Sequence, residues 1–478
     1  MRTMVSVDAS PVLDRDLPVL PASLARLAAL GAGAQVTPRM VAAIVGDDPL
    51  LALAVLRMAQ AERAERNRPV PATLEQAVFA LGVPTVNRAA RALPFIDKDL
   101  PEPMRAPLKR ALARGALAAR IARVLAQTVG DSEPEEVALS ALLHRLGEVV
   151  LWARGDRRMP GLRAAIVQGR VAPHEAEYVL LGRSLESIGE GLVRRWQLPP
   201  LVGTAMLAHN ARAPRELLVM LSAQLARHAV GGWRDPLLVH HLAMACRHIQ
   251  CPREPMIEIL NEVANQFGPL VRGYGLPPFP LLSEVRLTKL EAQPEPSYHQ
   301  SFCLAPRRDL FRTAVRGIET AASEDAAIQA VLHGAHHGLA LNRAFFARLD
   351  PDSEMLTVTR AAGTDYEPAL NRLQLRCGGD DLIGLLLRKP TQFWLNPQNQ
   401  SFSWPLVPEN LRNLIGVQAF FMTSVFVHGK AFGLFYADRR SESCGLDNQA
   451  FTGFQALTAL ATRHLEALPL SAYHALNS

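Results

Sequence analysis

Up to about residue 270, the apolar positions of this 478-residue chain recur three and four apart, the spacing of helix faces. SLARLAALG predicts a helix closing on Gly31 as its C-cap. In TPRMVAAIVG, Thr37 is placed to cap a helix with Pro38 at its first position. Asp47-Asp48-Pro49 ends that helix and starts the next, and TLEQAVFALG repeats the device from Thr73 to Gly82. PMRAPLKRALARGALAARIARVLAQTVG predicts a long helix ending at Gly130. DSEPEEVALSALLHRLGEVVLWARG predicts one continuous helix, with an acidic first turn facing the positive end of its dipole. Further helices follow through PHEAEYVLLG, LESIGEGLVRRWQLP, PPLVGTAMLAHN and ELLVMLSAQLARHAV.

Near residue 270 the pattern changes. YGLPPFPLLSEVRLTKLEAQPEPSYHQSFCLAPRRD is proline-rich and reads as a connector, over 271–308. It is too long for a simple turn, so parts of it are expected to pack on a neighbouring domain. Beyond it, DLFRTAVRGIETAASEDAAIQAVLHGAHHGL predicts a helix. RAFFARLDPDSEMLTVTRAAG has alternating, β-rich flanks around Asp350-Pro351-Asp352-Ser353 and predicts a hairpin. GVQAFFMTSVFVHGKAFGLFYADRR predicts a second, turning at His428-Gly429-Lys430, and NQAFTGFQALTALATRHLEAL a closing helix. Helix, strands and helix make an α+β domain over 309–470.

Composition adds bounds. The length calls for more than one domain. With 49% apolar and 20% charged residues the chain is globular in class, and it has no uninterrupted apolar run long enough to span a bilayer. No signal-peptide pattern opens it, so the cytoplasm is the expected compartment. Five scattered cysteines without a CxxC pair argue against a disulfide framework or a structural zinc site. Of the 51 basic residues only five are lysine, and the arginines are interleaved with acids, so the net charge of +6 makes no concentrated basic face. Nucleic acid is not an expected partner, and neither is a membrane.

Several segments, in order, resemble the HDOD family, the non-catalytic relatives of HD phosphohydrolases found in bacterial signalling proteins. They are LPVLP at Leu17–Pro21, IVGDDPLLALAVLRMAQA, ATLEQAVFALG, ALLHRLGEVVL and LLGRSLESIGEGLVRRWQLPPLVGTAMLAHN. Gln60-Ala61 stand where the family usually has Asn-Ser. The resemblance covers about 12–270 and implies an all-α, HD-like helical domain. The second hairpin and terminal helix resemble a GAF domain, which implies an antiparallel sheet flanked by helices and a role in sensing or dimerisation.

Catalysis of the HD kind needs a cation held by an early histidine, a His-Asp doublet and a late aspartate. The first histidine of this chain is His144, and residues 1–143, including the helix around Arg114 where the early ligand belongs, hold none. Arg145 replaces the doublet's aspartate with a cation, and Gln224 stands where the late aspartate falls. Glu148, four residues beyond His144 on one helix, and His209 are the residues left to rescue a site. The set His144, Arg145, Glu148, His209 and Gln224 is therefore read as vestigial, with no catalytic residue, metal or cofactor expected. His333, His336 and His337 share a helix face and are read as a solvated or interface cluster before a metal grip. Phe393, Trp394 and Trp404 are candidate walls of a GAF-type pocket, against the plainer reading that they cover the sheet. GxGxxG, Walker A and GxSxG patterns are absent.

These readings predict a non-enzymatic signalling protein. A helical platform for unidentified partner proteins is coupled to a domain that dimerises, binds a small effector, or both. The alternative is a divergent metal-dependent phosphohydrolase using His144, Glu148 and His209.

Overall fold

The computed structural model describes residues 17–30, 36–66, 70–168, 171–230, 232–235, 237–277, 279–292, 303–364, 367–377, 379–440 and 444–468. Gly31, residues 293–302 of the connector, and the outermost ends of the two expected domains lie outside them. The chain divides into two compact units that interleave in sequence. One comprises Met1–Ala164 and Arg183–Ser297, the other Ala165–Gly182 and Tyr298–Ser478.

The first unit is helical. Its helix starts are written locally: Thr37 Oγ1 accepts the Met40 amide at 3.3 Å, and Thr73 Oγ1 accepts that of Gln76 at 3.2 Å. Asp48 caps the Pro49–Arg66 helix from a fully buried position, accepting the amides of Leu50 and Leu51 at 3.1 and 3.3 Å. Its other oxygen takes the Leu20 amide and the Ser23 hydroxyl, which ties the opening segment to this corner. Burial raises the Asp48 pKa, and these four donors work against the rise. The axis of the unit is the Glu102–Thr128 helix, against which the Pro134–Leu143, Leu146–Ala153, Pro214–Val230 and Arg253–Val271 helices pack. Alanine is the commonest residue on its buried face, with Ala111, Ala116, Ala119 and Ala122 among the small residues that let neighbouring backbones approach.

One expected helix is two. The chain breaks at His144–Arg145, where Arg145 takes φ −99° and ψ 30°, so His144 caps one helix and Glu148 lies in the first turn of the next. The break brings Gly147 against the Leu185–Arg195 helix so closely that a Cβ there would sit 2.1 Å from the Leu185 carbonyl oxygen. The proline-rich stretch is in part structured within this unit. The indole N–H of Trp233 donates to the Pro280 carbonyl at 2.6 Å, Phe279 stacks on Phe267, and Asn261 brackets the Leu282 backbone. A short helix, Glu284–Glu291, follows.

The second unit is built on a six-stranded antiparallel sheet. Its strands are β1 (Arg343–Asp350), β2 (Met355–Ala362), β3 (Gln374–Arg376), β4 (Gln392–Leu395), β5 (Phe420–Val427) and β6 (Lys430–Asp438), in the order β3-β2-β1-β6-β5-β4. Both expected hairpins form, and the β5–β6 turn uses His428 and Gly429, both at positive φ, as a two-residue hairpin turn requires. One face packs on Ile318, Val331, Phe454 and Leu457 of the helices Arg308–Glu319, Glu324–His333 and Asn448–Ala467. The other is covered by Leu370, Ile383, Leu386 and Leu411 of shorter elements. The helix expected after residue 308 is also two, because Ser323 caps a second start by accepting the Ala326 amide at 3.2 Å. The cysteine reading needs correction as well. Cys303 and Cys444, 141 residues apart, form a disulfide, a pairing that linear spacing does not reveal. Cys246, Cys251 and Cys377 are free.

Gly147→Ala is expected to cost about 3 kcal/mol, because the added methyl meets backbone that cannot turn aside. Gly161→Ala, where a Cβ would meet open space, is expected to stabilise by no more than about 1 kcal/mol. Urea denaturation of both variants checks the contrast.

Candidate functional site

Of the residues expected at an HD-type centre, His144, Arg145 and Glu148 flank the helix break in the first unit. His144 is buried, and its Nε2–H donates to the Ala205 carbonyl at 3.0 Å. Nδ1 then keeps the lone pair of the neutral ring. Burial lowers the His144 pKa to about 4, with Glu186 working to raise it and Arg145 to lower it further.

Glu148 does not join His144. Because of the break, its carboxylate turns to arginines: Arg114 bonds one oxygen, and Arg145 Nε donates to the other at 3.2 Å. Arg145 also bonds the nearly fully buried Glu186. Burial alone would raise the Glu148 pKa, but Arg114 and Arg145, with Arg227 nearby, hold it at about 2. Burial lowers that of Arg114, opposed by Glu148 and reinforced by Arg145 and Arg227. Gln224 is buried on the Pro214–Val230 helix, three residues before Arg227, and His209 sits half-buried in the turn Ala208–Arg212.

This donor set does not fit a metal ion. It offers one imidazole lone pair beside a guanidinium, and carboxylates already bonded to guanidiniums, whereas a cation needs several uncommitted donors. Among the described residues no group of three His, Cys, Asp or Glu is placed to hold one. Sequence spacing revealed neither the break nor Glu186, which is 41 residues from Arg145 and reached only through helix packing. Arg227 went unnoticed for the same reason.

In the second unit, strand alternation separates two of the three aromatic candidates. Phe393, paired with Met422, packs with Trp404 on the face covered by the short elements. Trp394, paired with Phe421, lies on the opposite face, with ring centroids 5.5 Å from those of both Phe421 and Phe451. His336 Nδ1–H donates to the Leu341 carbonyl at 2.6 Å, so this histidine of the 333–337 group is engaged by backbone.

The HDOD domain model matches residues 17–212. No curated protein matches the chain. Similar solved structures include the MmoQ response regulator from Methylococcus capsulatus str. Bath, at 19% identity and TM-score 0.41 over 52% of this chain and 99% of that one. A virulence factor from Campylobacter jejuni subsp. jejuni matches at 18% and 0.43, over 55% and 99%. The GAF domain of an Acinetobacter phosphoenolpyruvate-protein phosphotransferase matches at 14% and 0.27, over 36% and 95%. Among the described residues no helix is long and apolar enough to cross a membrane.

Two predictions follow from the electrostatics. Glu148→Ala leaves two guanidiniums without this partner and is expected to cost about 3 kcal/mol in denaturant unfolding. His144 is neutral in the fold down to pH about 4, whereas the unfolded chain takes up its proton near 6.5. Its share of stability is therefore complete above pH 6.5 and lost as pH falls toward 4, on the order of 3 kcal/mol in all. Unfolding midpoints of the wild type and His144→Gln between pH 7.5 and 4 check this, and the variant should descend less steeply.

Proposed function

Starting from the HDOD domain at residues 17–212, we propose that this chain is a non-enzymatic regulatory protein of bacterial signal transduction, acting in the cytoplasm. Its helical unit is a platform for a partner protein, and its GAF-like unit is a sensor or dimerisation module. The observation that carries the reading is the charge at the helix break, where Arg114 and Arg145 hold Glu148 and Arg145 holds Glu186. HD-type hydrolysis depends on a cation that positions phosphate and lowers the pKa of bound water. Guanidiniums repel that cation and occupy the carboxylates that would bind it. His144, Arg145, Glu148, His209 and Gln224 are on this reading the remains of a metal centre. The helices keep their packing, and recognition falls to their outer faces. Phe393 and Trp404 are the aromatic pair nearest to an effector wall in the second unit.

Native and denatured masses of protein purified without chelator are expected to agree, with no stoichiometric metal. With added Mn2+ or Mg2+, hydrolysis of bis(p-nitrophenyl) phosphate is expected to match that of His144→Ala. Stoichiometric metal, with turnover lost in that variant, would overturn the reading in favour of a divergent phosphohydrolase.

A further inference from the structure

The second unit contains a stretch of chain, Ala165–Gly182, whose neighbours in sequence on both sides belong to the first. Its helix, Pro173–Leu181, is inverted in character. His174, Glu175 and Glu177 are buried, while Val179 is 48% exposed. Acids are rarely buried unless they are held, and Glu175 is held. Its Oε1 accepts the Asn342 amide at 2.7 Å, and the buried Arg343 is near enough for the two charges to attract. One turn on, Tyr178 sets its ring edge-on to His336 and His337, with centroids 4.3 and 4.9 Å apart. His336 and His337 belong to a π-helical turn, Gly334–Gly338, and the backbone around them is tight. A Cβ on Gly363 would sit 1.9 Å from the Asn342 carbonyl oxygen.

The geometry points to a helix-docking face on the second unit, formed by His336, His337, Asn342 and Arg343, that binds a short acidic helix and is occupied in this chain by its own Pro173–Leu181 helix. The resident is exchangeable for two physical reasons. Burying charged groups returns little net free energy even when they are paired, so this docking is weaker than an apolar helix of equal area would achieve. A nine-residue helix is also unstable alone in water, so a released segment unfolds instead of persisting as a competing folded element. A trans occupant needs the same chemistry, a carboxylate for Asn342 and Arg343 with an aromatic ring three residues later. The inference goes beyond the reading of the first unit and stands or falls separately from it.

The test is amide hydrogen exchange on the full chain, read over 171–182 and over the β5–β6 hairpin, 420–438. Asn342→Leu removes the donor to Glu175, and Tyr178→Ala removes the ring contact. Each is expected to raise exchange over 171–182 by about tenfold or more, the scale of one lost hydrogen bond to a buried charge, with the hairpin unchanged. Excess synthetic peptide of sequence 171–182 is expected to do the same to the wild type. The inference is overturned if exchange in the hairpin rises together with the segment, which would make the segment an inseparable part of the core. It is equally overturned if the variants leave the segment protected, or if the peptide fails to compete.

Discussion

A charge removed from water must meet an opposite charge or a set of hydrogen-bond donors, and this constraint organises both units. The chain meets it with arginine. Asp47 is held by Arg26 and Arg120, Glu148 by Arg114 and Arg145, Glu186 by Arg145, and Asp131 and Glu136 by Arg215. In the second unit Arg343 Nε donates to both Asp438 oxygens, at 3.1 and 3.0 Å, and Nη1 reaches Glu367 at 3.0 Å. Desolvation works against the Arg343 charge, but Asp438 and its neighbours hold the pKa above the ordinary value. Five lysines could not have done this work, because a planar fork with five donors bridges two carboxylates where an ammonium offers a point charge.

Arginine's abundance therefore has a structural meaning that composition alone conceals. Counted along the chain it gives a modest positive charge without a basic face. Seen in the fold, many of these side chains bind helices to one another through acids far away in sequence. The helix break at His144–Arg145 illustrates the effect. Arg145 sits between two packed helices and joins Glu148 behind it to Glu186 on a third.

What could be read from sequence was what short-range chemistry decides. Thr37, Asp48 and Thr73 cap helices because their oxygens reach amides two or three residues on, and the hairpin at His428-Gly429 forms because its turn tolerates positive φ. Breaks inside apolar runs were not legible. Periodicity continues through His144–Arg145, and nothing in local spacing marks the turn after which Gly147 packs against the Leu185–Arg195 helix. β3 and β4 escaped notice because three and four residues carry too little alternation. Around the candidate site, the lack of any histidine before His144 and the arginine that follows it were plain from residue identity. The partners of Glu148 and Arg145, Arg114 and Glu186, lie tens of residues away and are chosen by packing.

The placement of 165–182 in the second unit has a topological consequence. The backbone passes between the units three times: after Ala164, after Gly182 and within the proline-rich stretch. A nick in that stretch would leave the bulk of the second unit on a separate product, joined to the other only through the docked Pro173–Leu181 helix. The first unit, for its part, is stitched from two pieces whose ends are joined through a loop belonging to the other. Neither unit is a contiguous stretch of sequence that a single cut could free.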